Sequence, residues 1–458
     1  MGIRGRRLIF EYEVVTPMFL GGARDGGDEL RIRETSVRGA LAFWWRALTY
    51  AGIVSAAGGK QELALDRLRE RELVLFGGPK GQGSFAFRTT GIEPPKVLKP
   101  GTVLLRNGLS TEKPAPVGKR MEDAGAVGEG VRYLAYGLVA AFSTKLDKDG
   151  KLEPGNIKTH AAQLERGAIA AGHRFNLEVT FRDDVPADLV VEITRAATVL
   201  GSLGGLGARV RRGFGSLSLM AVSEKNGDVA NHVQPQNVEK YADIVRSLVW
   251  GAQPAAGLST PDGRDFSVTA FGSGSICVVG TGSSSAIDAL NEVGKGLLRY
   301  RAWGKFGKVG DTDVEGAFAA DHKWFKSLTS TAPGHNKYVP ERTAFGLPHN
   351  YGKIAGNEPV EVTGPVMPKG SANPRGMIIE RRASPLSFRI QKIGNKFHPV
   401  ALFMPTQFLP VPIVRAAGTE LPYAFNPKVI EDYLEGISHK TRVLASAPYF
   451  PIAAKIFP

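Results

Sequence analysis

One run of sixteen residues, Gly201 to Ser216 (GSLGGLGARVRRGFGS), constrains this chain more than any other. It holds six glycines, three arginines and no acid. Glycine reaches positive φ without a Cβ penalty and lets a backbone come close to a ligand. Arginine carries a planar fork of donors that fits phosphate oxygens. Together they read as a backbone that lies along a polyanion. The plainer alternative is a flexible turn with solvated arginines. The flanks argue against it, because the pattern predicts a helix over 189–200 and a strand over 213–222. That order also argues against a nucleotide cofactor. A dinucleotide fingerprint follows a strand and opens a helix, and the loop lacks the lysine and hydroxyl pair of a Walker A sequence.

Charge points the same way. Lysine plus arginine outnumber aspartate plus glutamate by 58 to 44 in 458 residues, a net charge of +14. Such a balance speaks of a polyphosphate or acidic partner and not of fold. The length suits two or three domains. A single cysteine, Cys277, can make neither an internal disulfide nor a zinc site, and its apolar surroundings predict a buried thiol. No stretch approaches the roughly eighteen apolar residues of a membrane span, and residues 8–15 alternate with charge instead of forming a secretory core. The expectation is a cytoplasmic protein with no membrane contact.

Read in order, residues 7–15 alternate as a strand with Leu8, Phe10, Tyr12 and Val14 on one face. A helix follows over 34–50, with Thr35 or Ser36 as its expected N-cap. Val37, Leu41, Trp44 and Leu48 take the core stripe. Arg38 and Trp45 share a neighbouring stripe with Arg46 beside it, and such an edge could contact phosphate and stack a base. Core tryptophans with solvated arginines are the competing reading, preferred for Trp44 and left open for Arg38. Further elements are predicted at 62–75 (helix), 84–89 and 173–182 (strands). Residues 90–130, rich in proline, glycine and lysine, read as an inserted hairpin or mobile arm. Strand, helix, strand, strand, helix, strand is the ferredoxin-like order, a frame also used by RNA-recognition modules.

Residues 223–240 read as a polar linker. A second unit of similar shape is expected over 241–458, with a helix at 286–303, a long irregular segment at 332–373, strands at 377–380, 386–393 and 400–409, and a last helix at 423–434 before a short tail. The fold expected is thus α+β: two tandem ferredoxin-like domains, 1–222 and 241–458, with long insertions. No catalytic set emerges. The eight histidines show no metal-ligand spacing, and no nucleophile elbow is present. His160, beside Lys158, is the best candidate for a metal-independent ribonuclease acid or base, although a lone histidine near a lysine is more often a binding or core residue.

Five pieces of this sequence resemble the repeat-associated mysterious protein (RAMP) superfamily of CRISPR systems, and within it the subunit-one family of the Cmr, type III-B, effector complexes. They are TPMFLGG from Thr16, SVRGALAFWWRAL from Ser36, LFGG from Leu75 with Gly83-Ser84, the glycine loop, and RRASPL from Arg381. The resemblance implies two ferredoxin-like RAMP domains and a non-catalytic subunit that holds guide RNA, near its 3′ end, together with target RNA. It implies other Cmr subunits as partners, and neither a metal nor a small-molecule cofactor. Carried onto this chain, the expected RNA path is Ser36, Arg38, Gly204, Gly205, Gly207, Arg209, Arg211 and Arg212, with Arg381 and Arg382 from the second unit. Trp45, Arg46 and His160 are further candidates. The alternative is a guide-processing endoribonuclease of the same superfamily.

Overall fold

The computed structural model describes residues 5–21, 30–79, 81–111, 125–140, 143–146, 152–159, 162–224, 231–251, 261–302, 308–309, 312–313, 318, 320–321, 323–324, 340–351, 360–367, 377–416, 419–445 and 447–457. His160 and residues 112–124 of the expected arm lie outside them.

The first unit runs β1 (Arg7–Val14), α1 (Glu34–Ala56), α2 (Gln61–Phe76), β2 (Phe85–Gly91), α3 (Glu129–Leu134), β3 (Arg174–Phe181), α4 (Ala187–Leu203), β4 (Leu217–Glu224) and β5 (Asn231–His232). Its sheet has the order β5-β4-β1-β3-β2, antiparallel throughout. Without β5 this is the fourth, first, third and second strand of a βαββαβ unit, with α1 and α4 as its two helices. The alternation of β1 explains its place at the centre. Phe10, Tyr12 and Val14 are fully buried on the helix side, each contributing roughly 1.5–3 kcal/mol. The Tyr12 hydroxyl donates to the Ala197 carbonyl of α4 at 2.7 Å, so its burial leaves no unpaired group.

After α5 (Val238–Trp250), the second unit runs β6 (Ile276–Gly280), α6 (Ala286–Tyr300), β7 (Leu386–Ile393), β8 (Lys396–Phe403), α7 (Lys428–Glu435) and β9 (Ile452–Phe457). Its sheet has the order β7-β8-β6-β9. This is the same fourth, first, third, second arrangement read from the other edge. The α+β class and the two ferredoxin-like strand orders match the sequence-based expectation. Strand β9 occupies what was expected to be a short tail. Its burial is confined to its last residues, so it carries little alternation to read.

Three local expectations are corrected. The N-cap of α1 is Arg33, with no capping side chain, and Ser36 lies within the first turn. The 223–240 segment does not trail as a linker. It contributes β5 to the first sheet, and Asn237 then caps α5 by accepting from the Lys240 amide at 2.8 Å. The described part of 90–130 is no mobile arm. Leu98, Val103, Leu104, Ala126 and Val127 are buried in a cluster with Leu290, Val293 and Phe388 of the second unit.

Two hydrophobic clusters straddle the units. One joins Tyr12, Trp44 and Leu200 to Tyr241, Phe271, Cys277 and Val400. The other joins Phe19 and Phe214 to Leu290, Phe388 and Tyr433. A third, smaller cluster sits under a sheet formed by His349–Tyr351, Val360–Thr363, Ile413–Ala416 and Thr419–Pro422. No described helix is long and apolar enough to cross a membrane.

Candidate nucleic-acid interface

The glycine loop leaves α4 at Gly204 and returns into β4, and its path is fixed from both sides. A Cβ on Gly215 would fall 1.9 Å from the Leu206 carbonyl oxygen, and one on Gly207 2.5 Å from that of Phe19. Both residues have positive φ, +61° and +95°. Only glycine fits these two turns. Gly204 and Gly205 are buried, whereas Gly207 is exposed. The second unit closes over the loop. The Phe388 amide donates to the Arg211 carbonyl at 2.9 Å, and the Ile390 amide donates to Ser216 Oγ at 3.0 Å.

This docking spreads the arginines along the seam between units. Arg209 takes a left-handed φ of +58° and donates to the Tyr136 carbonyl at 2.6 Å. Arg211 donates to the Ser384 carbonyl at 2.8 Å and lies 5.5 Å over the Phe43 ring. Arg212 donates to the Phe345 carbonyl at 3.2 Å. From the second unit, Arg382 donates to the Gln407 carbonyl at 3.0 Å, and Arg381 stands exposed. Arg301, at the end of α6, donates to the Tyr133 hydroxyl and lies 5.2 Å over the Phe345 ring.

Their electrostatics set these groups apart. Burial lowers the Arg209 pKa, and the charge of Arg381 lowers it further. Burial and then Arg382 do the same to Arg211. Burial pushes Arg212 down to about 10, and Arg301 and Arg209 add repulsion. Even at about 10, Arg212 stays charged at neutral pH. Among the described residues none of these six pairs with a carboxylate, while several arginines elsewhere do: Arg46 with Glu72, Arg71 with Glu192, Arg88 with Glu178. Like charges held together without counterions repel one another and raise the local positive potential.

The structure brings together only some of the residues expected along that path. Arg209, Arg211, Arg212, Arg381 and Arg382 converge, from segments about 170 residues apart in sequence. Arg38 does not join them. It points along the edge of α1 and donates to the Phe76 and Gly77 carbonyls at 2.6 and 3.2 Å. Arg46 is engaged by Glu72 at 2.6 Å. Trp45 is corrected outright as a base-stacking residue. It is fully buried and donates to Glu192 Oε2 at 2.8 Å. Trp44, read as core, is 6% exposed.

Arg301, Tyr133, Tyr136 and His349 were not marked by the sequence. Tyr133 and Tyr136 come from α3 and the turn after it. Tyr136 is 68% exposed beside Arg209. The i, i+3 spacing of the two tyrosines is the one signal that could have marked them. His349 sits at the edge of the cluster, its Nδ1 3.3 Å from Arg301. Burial, with Arg301 and Arg342, holds its pKa well below the ordinary histidine value, so it is neutral. Among the described residues no group of three or more His, Cys, Asp or Glu could hold a metal ion.

Residues 11–218, from β1 through the glycine loop, match the RAMP superfamily. That match covers somewhat less than half of the chain. A curated relative, the CRISPR system Cmr subunit Cmr1-2 of Pyrococcus furiosus, is 28% identical over 218 residues, which is 47% of this chain and 96% of that protein. The crystal structure of Cmr1 from Pyrococcus furiosus in its apo form aligns over 98% of both chains at a TM-score of 0.51 and 15% identity. The likeness of fold to that structure thus extends over the second unit as well. A chain of a type III-B Cmr-beta complex bound to cognate target RNA aligns over 93% of this chain and 98% of its own at a TM-score of 0.45 and 12% identity.

Proposed function

We propose that this chain is a non-catalytic RNA-binding subunit of a type III-B CRISPR (Cmr) ribonucleoprotein effector complex. The observation that carries the reading is the seam of six arginines from both units, without a carboxylate partner among the described residues. The relative of 28% identity bears the name of a Cmr subunit. On this reading guide and target RNA lie along the seam, near the guide 3′ end, and further Cmr subunits flank the chain in the cytoplasm. Contacts run mostly to phosphate and sugar, so binding is weakly sequence-dependent and strongly salt-dependent. No cofactor or metal takes part, and target cleavage belongs to another subunit.

The test is single-stranded RNA binding by the purified chain across a salt series in EDTA, with the RNA sized afterwards. Affinity that falls steeply with salt, with the RNA intact, is expected. No binding at moderate salt overturns the proposal. RNA shortened to defined ends, and restored to full length by His160→Ala, makes the chain an endoribonuclease.

A further inference from the structure

Between α1, the glycine loop and the second sheet lies a pocket of about 270 Å³. Its walls are the rings of Phe43 and Trp44, the bare backbone of Gly204 and Gly205, and the side chains of Phe388 and Met404. Phe43, Val210, Arg211 and Ser387 at its rim are only half-buried, so it opens to solvent. The glycines keep it open. A Cβ on Gly204 would lie 2.4 Å from Trp44 Nε1, forcing the indole out of place. The polar groups at its edge are few: the Arg211 guanidinium, the Ser387 hydroxyl and the Trp44 N–H.

We infer that this pocket receives one unstacked nucleobase of the bound RNA. The inference rests on the RNA-binding reading above and deepens it. Three features select a base over another apolar group. The slot is lined by Phe43 and Trp44, whose rings meet edge to face at 77°, and by the backbone of Gly204 and Gly205, so a π-face finds an aromatic partner. Its mouth is walled by Arg211, whose neighbour Arg382 also carries uncompensated charge, so a phosphate at the rim is held while its base turns inward. Arg211 already lies over the Phe43 ring at 5.5 Å, and an inserted base extends that stack. The arginine and the indole are donors only. Every standard base shows them a carbonyl or ring-nitrogen acceptor, so the pocket tolerates any base.

The test compares the wild-type full chain on two probes of equal length, oligouridylate and an oligomer of abasic ribose phosphates. Oligouridylate is expected to bind roughly tenfold tighter, the scale of one base–aromatic contact. In Ala40→Leu, which fills the pocket from the α1 wall without touching charge, that difference shrinks while the salt slope stays unchanged. Independently of any variant, a 4-thiouridine oligomer cross-links under ultraviolet light to the peptides carrying Phe43 or Met404. Equal wild-type affinity for both probes overturns the inference and leaves RNA binding standing. So does cross-linking confined to other peptides. Failure of both probes to bind overturns the RNA reading as well.

Discussion

Arg212 Nη2 lies 3.2 Å from the Phe345 carbonyl oxygen, so an arginine of the glycine loop ends inside the second unit. This divides the seam arginines into two kinds. Arg381 is exposed, and Arg209 reaches only the surface carbonyl of Tyr136. R209A and R381A are each expected to weaken RNA binding and to lower the slope of log affinity against log salt by about one. R212A leaves the Phe345 carbonyl unpaired and is expected to cost about 1–3 kcal/mol of stability. Salt titrations beside urea unfolding separate the two effects. R212A with full stability would contradict the division.

Trp45 tests the correction to the sequence reading. W45A removes a fully buried indole and its hydrogen bond to Glu192, which keeps its pairing with Arg71. About 3–5 kcal/mol of stability should be lost, with RNA affinity unchanged under conditions where the protein remains folded. A selective loss of RNA binding by W45F would return Trp45 to the RNA path.

The loop turns predict a contrast among glycines. Gly215→Ala places a Cβ 1.9 Å from the Leu206 carbonyl at a φ of +61°. Gly58→Ala, at a φ of +63°, meets nothing within 4 Å. The second is expected to cost about 1 kcal/mol of backbone strain. The first should prevent the native loop from forming, seen as loss of folded protein. Equal melting temperatures for the two variants would refute the close packing of the loop.

His439 supplies a pH dependence. Its Nδ1 lies 2.9 Å from Asp432 and its Nε2 2.9 Å from Glu341. Burial alone would lower its pKa, but hydrogen bonds to Glu341 and Asp432 hold it above the ordinary 6.5. A pKa raised by folding means the charged form is stabilised in the folded state. That stability is fully present below about pH 6.5 and is lost as pH rises through the folded value. Thermal melts should therefore decline from pH 6.5 upward, and H439Q should flatten that decline. A wild-type melting temperature flat across this range would contradict the assignment.

The architecture was legible where one element's pattern was enough. The alternation of Leu8, Phe10, Tyr12 and Val14 announced β1, and glycine with arginine announced the loop. What stayed hidden depended on partners distant in the chain. Trp45 and Arg38 share a helix stripe, yet Glu192 of α4 draws one inward and the Gly77 turn holds the other at the rim. Arg301 was not marked by the sequence, since nothing local ties it to Tyr133 and Phe345. Residues 97–104 read as part of an inserted hairpin or mobile arm because lysine, proline and glycine interrupt their apolar positions. Leu98, Val103 and Leu104 are buried in a cluster with Leu290 and Val293 of α6.

Each sheet has its first-made strand at the centre. Strand β1 pairs with β3 and β4, and β6 pairs with β8 and β9. On the ribosome the earliest strand of each unit therefore waits longest for cover. For β6 that wait runs from Gly280 to Ile452, on the order of ten seconds or more at ~5–20 residues per second. During it the apolar Ile276–Gly280 strand stands with one edge unpaired. Nascent chains stalled before residue 452 should be the species that chaperones hold and that aggregates collect.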